Sequence, residues 1–210
     1  MTNLIRIVIF FTLVLSVNAQ KEFKPISDAS SFKSRMSQAS KQTKTIESDF
    51  LQVKNMSLLS EKIKSKGKFY FKKENSLRWE YLSPFKYLIV FKGDKVTIKD
   101  ETKTMNYDTR SNQMFKKISE IMTQTIQGNI NSSSDFNPSY FENENAYLLK
   151  MIPVNKIMKD FFKSINVYID KKDMTVYRLD MNEPSGDYTK IEFSGKKINQ
   201  NIGDEKFIVK

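Results

Sequence analysis

The side chains most often recruited for nucleophilic and acid–base chemistry are missing from this 210-residue chain, which contains no histidine and no cysteine. Their absence removes imidazole bases, thiolate nucleophiles, disulfides and the usual Cys/His zinc sets together. Glu80, Asp100 and Glu101 remain as candidate carboxylates. General acid–base work needs two such groups held at a fixed separation, and no motif here pairs them. Solvated strand faces account for them. We therefore expect no enzyme, no catalytic residue, no metal site and no cofactor, and look for function in the apolar residues.

Those residues are concentrated in SLRWEYLSPFKYLIVFKGDK, residues 76–95, which holds the single Trp. The surrounding chain is basic, with a net charge of +11 carried mostly by lysine. Arginine supplies the planar fork favoured for base and phosphate recognition, so a lysine-dominated balance argues against a nucleic-acid partner. A solvated lysine surface is the simplest account of the charge, with attraction to acidic lipid headgroups as the alternative. At the start of the chain, an apolar segment from Leu4 to Val17 ends in Val17-Asn18-Ala19, small residues at the positions a signal peptidase reads. We expect residues 1–19 to be a signal peptide and residues 20–210 to form a single exported, soluble domain that is not membrane-embedded. The segment is too short for a spanning helix of about 20 apolar residues. A disulfide-free exported domain is compatible with a periplasm.

The elements that would position an apolar site alternate in period. Phe32, Met36, Ala39 and Thr43 recur at helical spacing over 28–44, with Asp28 or Ser30 available as N-cap. From Thr45 the period becomes two, and Ile46, Ser48, Phe50 and Gln52 share a face. Further strands follow in GKFYFKK, LRWEY and YLIVF, interrupted by Pro84 and turned by Gly93-Asp94, a pair suited to a primed hairpin turn. A second amphipathic helix is expected over 112–127, then a loop in NINSSSDFNPS, residues 129–139. Strands return at 147–152, 164–169, 174–181 and 188–194. Sequential antiparallel strands with short connections predict a mainly β (α+β) fold: a curved sheet or incomplete antiparallel β-barrel, closed by the two helices.

Small barrels fill their interiors with side chains, so ordinary core packing is the first account of the inward positions. Two features favour a binding cavity instead. Many of the candidates, Phe69, Phe71, Trp79 and Tyr81, are large, and Leu77, Leu88 and Val90 extend the same surface. The helix able to cover them carries Met114 and Met122 beside Ile118 and Ile121, adaptable side chains suited to a surface that repacks. A concave apolar face under such a cover is an architecture for greasy ligands.

The run GKFYFKKENSLRWEYLSPFKYLIVFKGDKVTIKD resembles the signature region of the periplasmic outer-membrane lipoprotein carriers, the LolA family. It shows a Gly-started strand, a basic residue, a strand with Trp, a Pro break, an apolar strand and a Gly-Asp turn. TIESDFLQV upstream, and NQMFKKISEIMTQTIQGN, YLLKMIP and DEKFIV downstream, are similar to family segments in the same order. The resemblance implies an incomplete antiparallel β-barrel with a helical lid over a hydrophobic cavity. It also implies a periplasmic, monomeric carrier with three partners: acylated lipoproteins as cargo, an inner-membrane ABC transporter complex as donor and an outer-membrane acceptor. In those terms Phe69, Phe71, Leu77, Trp79, Tyr81, Leu88 and Val90 are the acyl-chain cavity, and Met114, Ile118, Ile121 and Met122 are the lid. A family basic residue, usually Arg, latches the lid. By motif it falls on Lys73, where Lys73-Glu74 replaces the usual Arg-Pro, with Arg78 as the substitute latch and an ordinary surface lysine as the alternative for Lys73. A carrier of a fatty acid, glycolipid or polyene lipid, or a periplasmic protein-binding adaptor, are the competing readings of the same fold.

Overall fold

The computed structural model describes residues 22–73, 76–112, 115–117, 120–121 and 135–209. The expected signal peptide lies outside them. Twelve strands form one antiparallel sheet. In chain order they are β1 Lys24–Pro25, β2 Thr45–Asn55, β3 Ile63–Lys72, β4 Ser76–Ser83, β5 Tyr87–Lys92, β6 Lys95–Lys99 and β7 Thr104–Asp108. β8 Phe136–Glu142, β9 Ala146–Pro153, β10 Ser164–Asp170, β11 Val176–Asn182 and β12 Tyr188–Ile198 complete it. Their order is β1-β8-β9-β10-β11-β12-β2-β3-β4-β5-β6-β7, which leaves β1 and β7 as edges. The expected open, curved β architecture is therefore present. Two meanders, β2–β7 and β8–β12, join where β12 pairs with β2, and the chain between β7 and β8 must cross from one edge region to the other.

Helix α1, Ser30–Gln42, lies where the 3.6 spacing places it and buries Phe32 and Met36. Ala29 occupies its N-cap without a side-chain bond, while Asp28, one residue earlier, accepts the Ser30 N–H at 2.9 Å. The β5–β6 hairpin turns on Gly93-Asp94, with Gly93 at φ +57°, where a residue without Cβ is strongly favoured. The expected loop 129–139 is corrected at its end, because β8 begins at Phe136. Asn-Pro-Ser reads as a turn in sequence. Pro138 is tolerated because β1 reaches only Phe141 and Glu142, so the missing Pro N–H faces an unpaired edge. β7, the pair Lys24–Pro25, the early start of β3 at Ile63 and a short helix at Lys156–Phe161 were not legible in the hydrophobic pattern.

Three apolar clusters hold the sheet. One packs α1 against β8–β10 around Leu149, Val167 and Ile169. A second lies on the concave side of β2–β6 and β12 around Phe69, Trp79 and Ile191. The third is on the opposite side, where Tyr70 and Val90 are covered by Ile202 and Phe207 of the C-terminal segment.

Gly67 shows how tightly β2, β3 and β4 are fitted. It sits beside a register shift, and an added Cβ would run into the Glu80 carbonyl oxygen and lie 2.5 Å from Phe50 Cζ. The Phe50 ring occupies the space a side chain would need. We predict that Gly67→Ala lowers unfolding stability by about 2 kcal/mol or more, as overpacking a closed site does, measurable as a reduced urea midpoint.

Candidate binding cavity

Directly opposed residues in an antiparallel sheet share a face, so the registers sort the strands into rows. Ser48, Phe69, Trp79, Ile89, Ile98 and Met105 form one row, strand by strand from β2 to β7. Ile46, Phe71, Leu77, Phe91, Val96 and Tyr107 form the parallel row two residues along. The apolar members of both rows belong to the concave cluster or pack against it. The row between them, Glu47, Tyr70, Arg78, Val90, Thr97 and Asn106, faces the other way.

The concave rows do not close on one another. Between them and the facing strands lies a cavity of about 360 Å³, within the size range of small-molecule sites. Aromatic side chains shape one wall: Trp79 sits in edge contact with Phe69 at 5.3 Å and Phe193 at 5.8 Å, and against Phe50 at 5.2 Å. Leu179, Met181 and Ile191 extend the wall across β11 and β12. Met36, Ala39 and Ser40 of α1, with Thr43 at its C-cap, cover part of it. Phe115 and Ile121, described fragments of the β7–β8 crossing with helical backbone, also line it, and Phe115 packs on Tyr107 with ring centres 4.8 Å apart.

Polar groups are few, and among the described residues the buried Trp79 Nε1–H has no hydrogen-bond partner. The Tyr81 hydroxyl is 2.9 Å from Gln52 Oε1. Burial pushes the Tyr81 phenol up to about 12 from its ordinary value of 10, with the neighbouring Tyr87 adding to the shift. At the other end Lys196 Nζ lies 3.1 Å from Asp173 Oδ2 and donates to the Thr175 hydroxyl. This is a mainly apolar surface suited to hydrocarbon, with Ser48 the small polar side chain in the row of Phe69 and Trp79.

A family model described as outer membrane lipoprotein carrier protein LolA matches residues 41–210. The chain belongs to the LolA family. No curated protein matches its sequence at a significant level. Among solved structures it is similar in fold to an uncharacterized conserved protein from Thermus thermophilus, at 11% identity and a TM-score of 0.53, covering 86% of this chain and 93% of that one. It is also similar to the Pseudomonas aeruginosa MucA/MucB complex structure, at 11% identity and a TM-score of 0.50. There the match covers 88% of this chain and 62% of the other. Membership of the LolA family implies a ligand-binding, carrier-type role, and among the described residues no helix is long and apolar enough to cross a membrane.

The LolA-like site residues expected from sequence divide into four groups. Phe69, Leu77, Trp79 and Tyr81 line the cavity, and Phe71 packs in the same concave cluster. Leu88 and Val90 are corrected: they face the opposite side, Val90 in the outer cluster with Tyr70 and Phe207 and Leu88 packed against it. The inward residues of β5 are Ile89 and Phe91, because Trp79 pairs with Ile89 and Arg78 with Val90. Pro84 separates β4 from β5, so alternation could not be carried across it. Ile121 lines the cavity, whereas Met114, Ile118 and Met122 lie outside the described residues.

The two latch residues also separate. Lys73 follows β3, where its backbone N–H donates to Lys44 O at 2.8 Å and its Nζ to Lys41 O at 3.3 Å. It thus places a cation at the C-terminal end of α1, where carbonyls and the helix dipole favour one. Arg78 is corrected as a latch, since it projects from the outer face of β4, clamps Glu80 at 2.9 and 3.0 Å and donates to Lys206 O. That clamp holds the Glu80 carboxyl below the usual carboxylate range, against the effect of burial. Asp100 is held low by N–H and hydroxyl donors from Thr102.

Sequence reasoning expected the two helices to close the sheet but missed the β11–β12 wall and Lys196 as parts of the lining. The helical stripe of Met36 and Ala39 was visible, but the strands it packs on were not. Lys196 was hidden because alternation along β12 breaks at a bulge between Ser194 and Lys197, where Gly195 has φ +60°.

Facing and burial each lead to a measurable outcome. Ile89→Ser should weaken binding of an acyl probe about fivefold or more by removing apolar contact, whereas Leu88→Ser should leave it unchanged; titration of both variants checks this. Because the folded-state pKa of Tyr81 lies above its unfolded value, its contribution to stability is complete below pH 10 and is lost as pH rises towards 12. Urea unfolding across that window should show declining stability with a shallower slope in Tyr81→Phe, other half-buried tyrosines supplying the remainder.

Proposed function

We propose that this LolA-family chain is a periplasmic carrier that shelters the acyl chains of lipoproteins in its concave cavity. It would receive them from an inner-membrane ABC transporter complex and pass them to an outer-membrane acceptor. The observation that carries this reading is the apolar cavity under α1 and the β7–β8 crossing, in a chain whose family is that of lipoprotein carriers.

The energetics suit transport more than storage. Each buried methylene contributes roughly 0.8 kcal/mol, so a fully enclosed sixteen-carbon chain would gain about 12 kcal/mol before ordering costs. Binding of that strength would release slowly. A cover whose own apolar residues occupy the cavity when it is empty offsets part of the gain, because ligand must displace them. Met36, Phe115 and Ile121 supply such competing surface, and Met114, Ile118 and Met122 extend it in this reading. Lys73 is the cation that would steady the α1 side of the cover.

Trp79 is the single tryptophan and stands in the wall, so its fluorescence reports occupancy directly. We expect a fatty acid bearing a nitroxide on its chain to quench Trp79 saturably, and an acylated lipopeptide to reverse the quenching by competition. Absence of saturable quenching would refute the acyl-carrier reading. Quenching reversed by free fatty acid but not by lipopeptide would replace it with a carrier of another amphiphile.

A further inference from the structure

Among the described residues, the large apolar side chains left exposed gather at one end of the sheet. The registers identify that end: Asn55 of β2 lies opposite Tyr188, Lys66 opposite Ser83, Leu88 opposite Lys99 and Ser164 opposite Asn182. The connections 56–62, 84–86, 100–103, 154–163 and 183–187 therefore share it. Leu58 at 92% exposure and Leu59 stand on the first of these, Phe85 at 74% on the second with Leu82 at the adjoining end of β4, and Val154 and Phe161 on the fourth. Ile63 and Ile152 project from adjoining strand ends, and Ile208 shares an outer cleft with Leu82 and Lys86. The turns at the other end, Gly93-Asp94, residues 143–145 and residues 171–175, carry glycine and polar residues apart from Met174, which is buried.

The same rim is basic. Lys62, Lys64, Lys86, Lys156, Lys159 and Lys163 are exposed around the apolar tips, against Glu61, Glu101 and Asp160 as exposed acids. Among the described residues nothing covers Leu58 and Phe85, and exposing such groups to water costs free energy unless a partner takes them up. Apolar tips within a lysine collar match the chemistry of an anionic bilayer surface. The tips enter the boundary between headgroups and acyl chains while the lysines remain among the headgroup charges. Because the tips are spread over separate connections around a curved rim, a fluid surface can accept them together.

We propose that this end of the protein docks on anionic membrane surfaces through Leu58, Leu82 and Phe85 and the surrounding lysines. The docking needs no cargo and so stands apart from the acyl-carrier reading. One consequence does rest on that reading: Gln52, Tyr81 and Phe162 bring the cavity lining to the same end, so an acyl chain could pass between bilayer and cavity without crossing open water.

Flotation of the protein with phosphatidylcholine vesicles, with and without phosphatidylglycerol, tests the docking. We expect it to float with the anionic vesicles, to release as salt is raised, and to lose about tenfold in binding in a Leu58→Ser/Phe85→Ser variant. Trp79 quenching by the nitroxide fatty acid, measured on the same variant, should be unchanged, which separates failure of docking from failure of the cavity. No flotation with anionic vesicles, or flotation undiminished in the variant, overturns the proposal. Self-association lost in the variant, seen by sedimentation without vesicles, would assign the rim to a second copy and likewise overturn it.

Discussion

The rest of the structure depends on one constraint: a sheet bent on itself must present a continuous apolar face inward, and the pleat allows only every second residue to contribute to it. Gly67 makes the constraint visible. By having no side chain it lets Phe50 lie against β4, which sets Phe69 opposite Trp79 and Trp79 opposite Ile89. Slip any of these pairs by one residue and the aromatic row would turn outward while Arg78 and Glu80 turned in. The cavity is thus a property of register, and the C-terminal strap over Tyr70 and Val90 is its necessary counterpart on the other face.

What fills a concave face decides what it does. In a closed small barrel the facing rows interlock and leave core. Here the row through Trp79 and the strands β11 and β12 stand far enough apart to leave a cavity, and helical segments that are less integral than the strands cover part of it. Such a cover is a surface that ligand can displace, at a cost set by its own buried area. The polar pairs Tyr81–Gln52 and Lys196–Asp173 mark the two extremities of the hydrocarbon surface without interrupting it.

Much of this was legible in the residues, and the failures have identifiable causes. Unbroken alternation in 67–73 and 77–81 set Phe69 on one face of its strand and Leu77, Trp79 and Tyr81 on one face of theirs, and the structure brings all four to the cavity. The assignment failed at Leu88 and Val90 because a reversal at Pro84 resets the phase, and only cross-strand register restores it. Lys196 was hidden by the Gly195 bulge, and β8 by a proline whose edge position is a tertiary fact. That α1 closes the sheet was expected, but the spacing of Met36 and Ala39 does not say which strands it packs on, and these are β8–β10. The exposed tips Leu58 and Phe85 lie in turns, where hydrophobic periodicity has nothing to say.

A cavity that holds acyl chains delivered as part of a larger cargo should carry that cargo when the protein leaves the cell. Native mass spectrometry of the protein isolated from a bacterial periplasm without detergent, with any released ligand identified by fragmentation, tests this most directly. We predict stoichiometric acylated lipoprotein or lipopeptide bound to the intact chain. Recovery of the protein only empty, or bound to a folded protein that carries no lipid, would contradict it.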